Sequence, residues 1–155
     1  MVDRFTSAPL ELPGDDGFER ADLIFYGIDH SGASFEARLF HDSQKADHTT
    51  TGDDPHYLGS FFIFGHGGCA GDPGHCDLPT RTDPYDLRPP HQLLPAIRVV
   101  TVTDQIKQLI TSGQTTFTVT VVAHTLEDQP GDVLAFDTIR LATYADADGG
   151  LLANA

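Results

Sequence analysis

Positive charge is scarce in this chain of 155 residues. It has nine lysines and arginines against 23 aspartates and glutamates, which gives a formal net charge of −14. Binding to nucleic acid or to an anionic membrane depends on clusters of lysine and arginine, so the composition argues against both partners. A strongly solvated surface, or a basic or cationic partner, fits this charge better.

Long apolar runs are missing as well, and cysteine is rare. No stretch approaches the roughly 20 apolar residues of a membrane-spanning helix, and residues 1–20 lack the apolar segment of a signal peptide. We therefore expect a soluble protein with no signal peptide in this chain, and the sequence leaves its compartment open. The two cysteines are too few for a disulfide-rich scaffold.

The common hydrolase motifs are also absent. The sequence contains neither Gly-x-Ser-x-Gly nor His-Glu-x-x-His. Its glycine-rich stretch is not followed by the lysine of a phosphate-binding loop, and a chain with this net charge is a poor phosphate binder. We expect no catalysis by this chain alone, although association with an enzyme stays open.

What the chain does contain is a series of short segments with strand patterns. Phe35, Ala37 and Leu39 alternate with polar residues, as in a strand with one buried face. Only one segment has a helical period, with Ile106, Leu109 and Ile110 on one face and Gly113 placed to end the helix. This predicts an all-β fold: an antiparallel β-sandwich of about seven strands with one short helix and two long loops.

The strand pattern also divides the chain. Residues 1–20 are acidic and contain proline and glycine, so we interpret them as an irregular arm. Residues 21–145 form the predicted sandwich domain, and residues 146–155 form a flexible tail. The apolar segments 21–30 and 35–40 are separated by the turn signal Ser31-Gly32, which predicts a hairpin between them.

The most unusual segment is the glycine-rich stretch 65–76, which directly follows the apolar strand segment 57–64. It contains His66, Cys69, His75 and Cys76, and His91 follows in a proline-rich crossing. Thiolate and imidazole are ligands that suit zinc or copper, so these five residues are the candidate metal ligands. Three alternatives stay open for the cysteines: a disulfide between them, which we favour, a metal site, or free buried thiols.

Several segments resemble, in order and spacing, the C-terminal β domain of the tyrosinase and polyphenol oxidase family. For example, His-Tyr-Leu-Gly-Ser-Phe at 56–61 is similar to the Glu-Tyr-Ala-Gly-Ser-Phe of that family. The segments that carry this resemblance lie at 35–42, 56–61, 102–110, 116–122 and 137–141. Phe-Gly-His-Gly-Gly-Cys, Gly-His-Cys and Arg-Pro-Pro-His, at 64–69, 74–76 and 88–91, are similar to bacterial tyrosinase-like proteins.

The resemblance implies a β-sandwich that lies against a helical domain with a type-3 dicopper centre. In that family such a domain has no catalytic residues, covers the entrance to the copper site, and keeps the oxidase latent or assists its assembly. A type-3 centre takes six histidines, mostly from helices, which this helix-poor chain does not offer by itself. The chain departs from the family pattern because it has no copper domain, so the partner is expected in cis or in trans.

Two functional hypotheses follow. In the first, the chain is a non-catalytic accessory domain that shields the copper site of a phenol-oxidising enzyme or assists copper loading. In the second, it is a stand-alone zinc- or copper-binding protein that uses the His/Cys loop at 66–76.

Overall fold

The computed structural model describes residues 3–67, 94–125 and 133–145, and within these ranges it contains nine strands and one helix. Strands are the main regular structure of the described chain, as the alternating sequence pattern predicts. In chain order the elements are β1 (Arg4–Thr6), β2 (Leu10–Glu11), β3 (Arg20–Ile28), β4 (Phe35–His41), β5 (Tyr57–Ile63), β6 (Ala96–Thr101), α1 (Thr103–Thr111), β7 (Thr116–Phe117), β8 (Val119–Thr125) and β9 (Thr138–Tyr144).

The strands form two main antiparallel sheets and a small third one. The larger sheet has the order β1-β8-β4-β5, the second has the order β6-β3-β9, and β2 pairs with β7. The core lies between the two main sheets, where the rings of Phe25 and Phe61 have centroids 4.9 Å apart. The predicted class, an all-β sandwich-like fold with one helix, is confirmed.

The helix also agrees with its prediction. Ile106 and Leu109 are the buried side chains of α1. Gly113 follows the helix with a φ of +84°, a conformation that favours glycine. Its N–H donates to the carbonyl of Ile110, and the N–H of Gln114 donates to that of Leu109, which satisfies two carbonyls at the helix end.

The predicted hairpin between the first two long strands is wrong. β3 pairs with β6 and β9, whereas β4 pairs with β5 and β8 in the other sheet. Both strands have an apolar inner face, and placing them in opposite sheets buries Leu23 and Phe25 against Ala37 and Leu39 in one core. The segment 29–34 is therefore a crossing between the sheets.

The interpretation of the N-terminal segment as irregular is also corrected. Strand β1 pairs with β8 and strand β2 pairs with β7, and the side chain of Phe18 is buried in the core. The sequence signal was weak because β1 and β2 are only three and two residues long. β1 and β2 are strands because they pair with β8 and β7, which are distant in sequence. Their own residues do not form a recognisable strand pattern. The predicted tail at 146–155 lies outside the described residues.

The polar loop after β4 packs on the outer face of the larger sheet. Phe40, Ala46 and Val122 form a small second core there, with Tyr57 beside it. The ring of Phe40 lies 5.6 Å from that of Tyr57, so the loop is held at both of its ends.

Candidate functional site

The predicted His/Cys loop begins at the end of β5, and the structure describes only its entry. His66 lies within the described residues and is exposed. Cys69, His75, Cys76 and His91 lie outside them. Their prediction as metal ligands, and the alternative disulfide between the cysteines, therefore stay predictions.

The entry of this loop is fixed against the crossing that precedes β4. The backbone of Gly65 packs so closely on Gly32 and Ala33 that a β-carbon at this position would overlap their backbone atoms. The N–H of Gly65 donates to the hydroxyl of Ser34 at 3.0 Å, and the N–H of Gly67 donates to the carbonyl of Gly32 at 2.7 Å. Glycine is required at 65 for this close approach.

His30 holds the two sides of the loop together. The backbone N–H of His66 donates to the carbonyl of His30 at 3.0 Å, and the two rings have centroids 5.0 Å apart at 63°. The Nε2 of His30 lies 2.6 Å from the carbonyl oxygen of Leu94, so the Nε2–H tautomer donates to it. One imidazole thus connects residues on both sides of segment 68–93.

Sequence reasoning missed this role of His30. His30 was not among the five candidate metal ligands. The available signal was its position, because residue 30 ends one predicted strand segment and the glycine-rich stretch follows another. In a sandwich the ends of strands from the two sheets meet at the same end of the core.

One carboxylate at this end, that of Asp29, is stabilised in its charged form. The pKa of Asp29, next to His30, is lowered below 3.8. The main cause is the N–H of Ser31, which donates to the Asp29 carboxylate at 2.8 Å, with smaller contributions from the Ser31 side chain and His30. Asp29 is therefore ionised at neutral pH.

An apolar edge adjoins the same end of the sandwich. Among the described residues, six large apolar side chains are exposed, and five of them lie on or beside β5 and β6, the neighbouring edge strands of the two sheets. These five, which we call the β5/β6 edge, are Phe62, Phe64, Leu94, Ile97 and Val99. Phe64 is the most exposed, at 86%.

Arg98 joins the two strands of this edge. Its Nε–H donates to the carbonyl of Phe62 at 3.1 Å, and its Nη1 donates to the carbonyl of Ile97 at 2.9 Å. A guanidinium on the carbonyl of an edge strand occupies a group with which another strand could pair. Arg98 therefore hinders the pairing of another strand at the carbonyl of Phe62.

The described residues do not bring a complete metal site together. Within residues 3–67, 94–125 and 133–145, no group of three or more His, Cys, Asp or Glu side chains is placed to hold one ion. No helix in these ranges is long and apolar enough to cross a membrane.

Two solved structures have a similar fold. No family model and no curated protein matches the sequence. The first similar structure is a recombinantly expressed latent aurone synthase, a polyphenol oxidase, with a TM-score of 0.53 and 17% identity, covering 91% of this chain and 24% of that chain. The second is a latent aurone synthase from a natural source, with a TM-score of 0.54 and 15% identity, covering 92% and 24% respectively.

This likeness extends over nearly all of the chain. The fold is therefore one that also occurs as part of polyphenol oxidase chains. The chain spans about a quarter of the length of the two oxidases that it matches.

Proposed function

We propose that this chain is a non-catalytic accessory domain of the polyphenol oxidase type, which docks on a type-3 copper domain in cis or in trans. The observation that carries the proposal is the fold likeness, which covers 91% of this chain but only 24% of an oxidase chain. The remaining three quarters of such an enzyme provide ample length for a separate catalytic domain.

The docking surface in this proposal is the part of the β5/β6 edge formed by Phe62 and Phe64, which share the outward face of the chain at β5. Exposed apolar side chains that cluster on one side of a protein are typical of an interaction site. Phe62 is 68% exposed and Phe64 is 86% exposed, so both offer large apolar areas to a partner. The sixth exposed apolar side chain, Phe5, lies on β1 at the opposite edge of the same sheet.

The proposed mechanism is steric. The loop that begins at Gly65 starts at the end of the sandwich, beside the docking surface. A side chain of this loop fills the substrate pocket of the copper domain, and the loop's histidines and cysteines hold copper during loading. Both solved neighbours are described as latent, which supports a domain that suppresses activity until it is displaced.

The test is a titration of the purified chain into an active polyphenol oxidase catalytic domain from the same genome. We expect saturable loss of diphenol oxidation and a one-to-one complex in sedimentation. Phe62→Gln should weaken binding at least tenfold. Phe5→Gln, the matched change at the opposite edge, should leave binding unchanged. Neither binding nor inhibition by the wild-type chain would overturn the proposal.

A second function is favoured by the way that His30 contacts both His66 and Leu94. This contact brings together the two sides of the segment that contains the other candidate ligands. In this proposal the chain is a stand-alone zinc- or copper-binding protein that uses His66, Cys69, His75, Cys76 and His91.

Metal analysis of protein purified without added metal distinguishes the two functions. One equivalent of zinc or copper, lost on replacement of Cys69 by serine, supports the metal-binding function. Sub-stoichiometric metal, together with a mass lower by two hydrogens than that of the reduced chain, establishes the disulfide instead.

A further inference from the structure

A second pair of histidines lies at the other end of β4 and β5. His41 is the last residue of β4, and His56 directly precedes β5. The backbone N–H of His41 donates to the carbonyl of His56 at 2.8 Å, which fixes the two residues side by side. Their rings have centroids 4.9 Å apart at 54°.

This ring separation is suitable for two ligands of one ion. Zinc–imidazole bonds are about 2.0–2.1 Å long, and tetrahedral coordination by two imidazoles places the ring centroids about 5 Å apart. The two rings therefore have the spacing of two ligands that share an ion.

Each ring has a carboxylate next to its Nδ1. The Nδ1 of His56 lies 3.0 Å from Oδ1 of Asp54, and the Nδ1 of His41 lies 3.5 Å from Oδ2 of Asp42. A carboxylate beside Nδ1 favours the Nδ1–H tautomer and leaves the Nε2 lone pair for a metal. This arrangement of carboxylate and histidine is the usual outer shell of histidine ligands.

The carboxylate of Asp54 is held in place by the backbone as well as by the ring. The backbone N–H of His56 donates to Oδ1 of Asp54 at 2.8 Å, and the Nδ1 of His56 lies 3.0 Å from the same oxygen.

The Nδ1 of His41 is buried and has no hydrogen-bond partner among the described residues. Its distance of 3.5 Å to Oδ2 of Asp42 is longer than a normal hydrogen bond. A buried polar atom without a partner costs free energy. A metal on Nε2 would make the Nδ1–H more acidic and strengthen its attraction to Asp42.

The surroundings make the pair rigid. Asp42 is fixed because its Oδ1 accepts the N–H of Thr118 at 2.8 Å. Phe40 and Tyr57, the neighbours of the two histidines in sequence, pack in the small second core. A ligand pair on strand ends with packed neighbours needs little ordering on binding.

We propose that His41 and His56 form a two-histidine site for zinc or copper(II), with Asp42 and Asp54 as outer carboxylates and with water in the remaining positions. Imidazole is a preferred ligand of both ions. With only two protein ligands, the site is open and exchanges its ion readily. It is separate from the His/Cys loop, because it lies at the opposite end of β4 and β5, and it does not depend on the accessory-domain function.

The test is a residue-resolved titration of the full chain with zinc chloride. Long-range nitrogen–proton NMR spectra of the imidazoles report each histidine separately, so binding at the His/Cys loop does not interfere. We expect the Nε2 signals of His41 and His56 to shift together. His41→Gln should weaken the response of His56 at least tenfold, and Asp54→Asn should weaken it about tenfold.

The control is His48→Gln, which removes an exposed histidine from the same loop and should leave the response unchanged. If His41→Gln prevents folding, His56→Gln serves instead, because the side chain of His56 is 44% exposed, and the signal of His41 is then observed. An electron paramagnetic resonance spectrum with copper(II) should show two coupled imidazole nitrogens. Nε2 signals that do not respond to zinc, or that respond equally in the His41 variant, would overturn the proposal.

Discussion

The two ends of the β4–β5 strand pair each hold two histidines at almost the same ring separation, yet their partners differ. His30 and His66 lie 5.0 Å apart and contact backbone carbonyls, whereas His41 and His56 lie 4.9 Å apart and face carboxylates. The ring of His30 donates to the carbonyl of Leu94 through Nε2 and so ties two segments of the chain together. At the other end, the Nδ1 of each ring faces a carboxylate, which leaves Nε2 for a metal. The ring separation alone does not distinguish the two pairs.

The surfaces next to the two ends also differ. The His30 end adjoins the exposed β5/β6 edge, whereas the His41 end adjoins a polar loop that packs on the second core. The proposed docking surface lies at the first end, and the proposed two-histidine site lies at the second. The predictions below test whether the two ends are independent.

The largest expected effect is at the His41 end. Phe40→Ala removes a ring that is fully buried in the second core and should lower the free energy of unfolding by about 3–5 kcal/mol. Phe62→Ala, an exposed change in the neighbouring strand, should cost about 0.5 kcal/mol or less. Urea unfolding measures both. Similar costs for the two variants would contradict the assigned packing of the loop.

A smaller effect is expected at the His30 end. Gly65→Ala places a β-carbon against the backbone of Gly32 and Ala33 and should destabilise the chain by about 1–3 kcal/mol. Gly32→Ala is the matched control, because its β-carbon would meet nothing within 4 Å, and it should cost about 0.5 kcal/mol or less.

Gly65→Ala also tests the independence of the two ends. It should remove the close contact between the rings of His30 and His66, observed as loss of their nuclear Overhauser effects. The zinc response of His41 should remain. Loss of that response would show that the ends are coupled through β5.

A still smaller effect is expected from the ring that connects the two sides of the loop. His30→Ala removes the hydrogen bond from Nε2 to the carbonyl of Leu94 and should cost about 1 kcal/mol. Thermal unfolding measures this cost. His30→Gln retains a side-chain donor and should lose less stability than His30→Ala. An equal loss of stability in the two variants would argue against the hydrogen bond.

The sequence predicted the elements better than their arrangement. The alternation of Phe35, Ala37 and Leu39 identified β4, and the spacing of Ile106 and Leu109 identified α1, because local periodicity reflects burial directly. The pairing of β3 was missed because its two sheet neighbours are distant in sequence. Strand β1 was missed because three residues provide too short a pattern.

The candidate sites show the same limit. His66 was predicted from the glycine-rich stretch around it, which is a local signal. The pair of His41 and His56 was not predicted, although both residues flank one loop between two predicted strands. Had β4 and β5 been paired as antiparallel neighbours, residues 41 and 56 would have been placed together at once.

The smallest expected effect concerns His124, which lies on β8 opposite Glu36 of β4. The pKa of His124 is lowered below 6.5, first because burial disfavours the charged ring and then because Arg38 repels it. The unfolded chain therefore binds this proton at a higher pH than the folded chain does. The stability from neutral His124 is complete above about pH 6.5 and is lost as the pH falls through the lower folded pKa. His124→Gln should therefore lose less stability than the wild type between about pH 7.5 and pH 5 in urea unfolding. An equal loss in both chains would show that the ring is not buried in its neutral form.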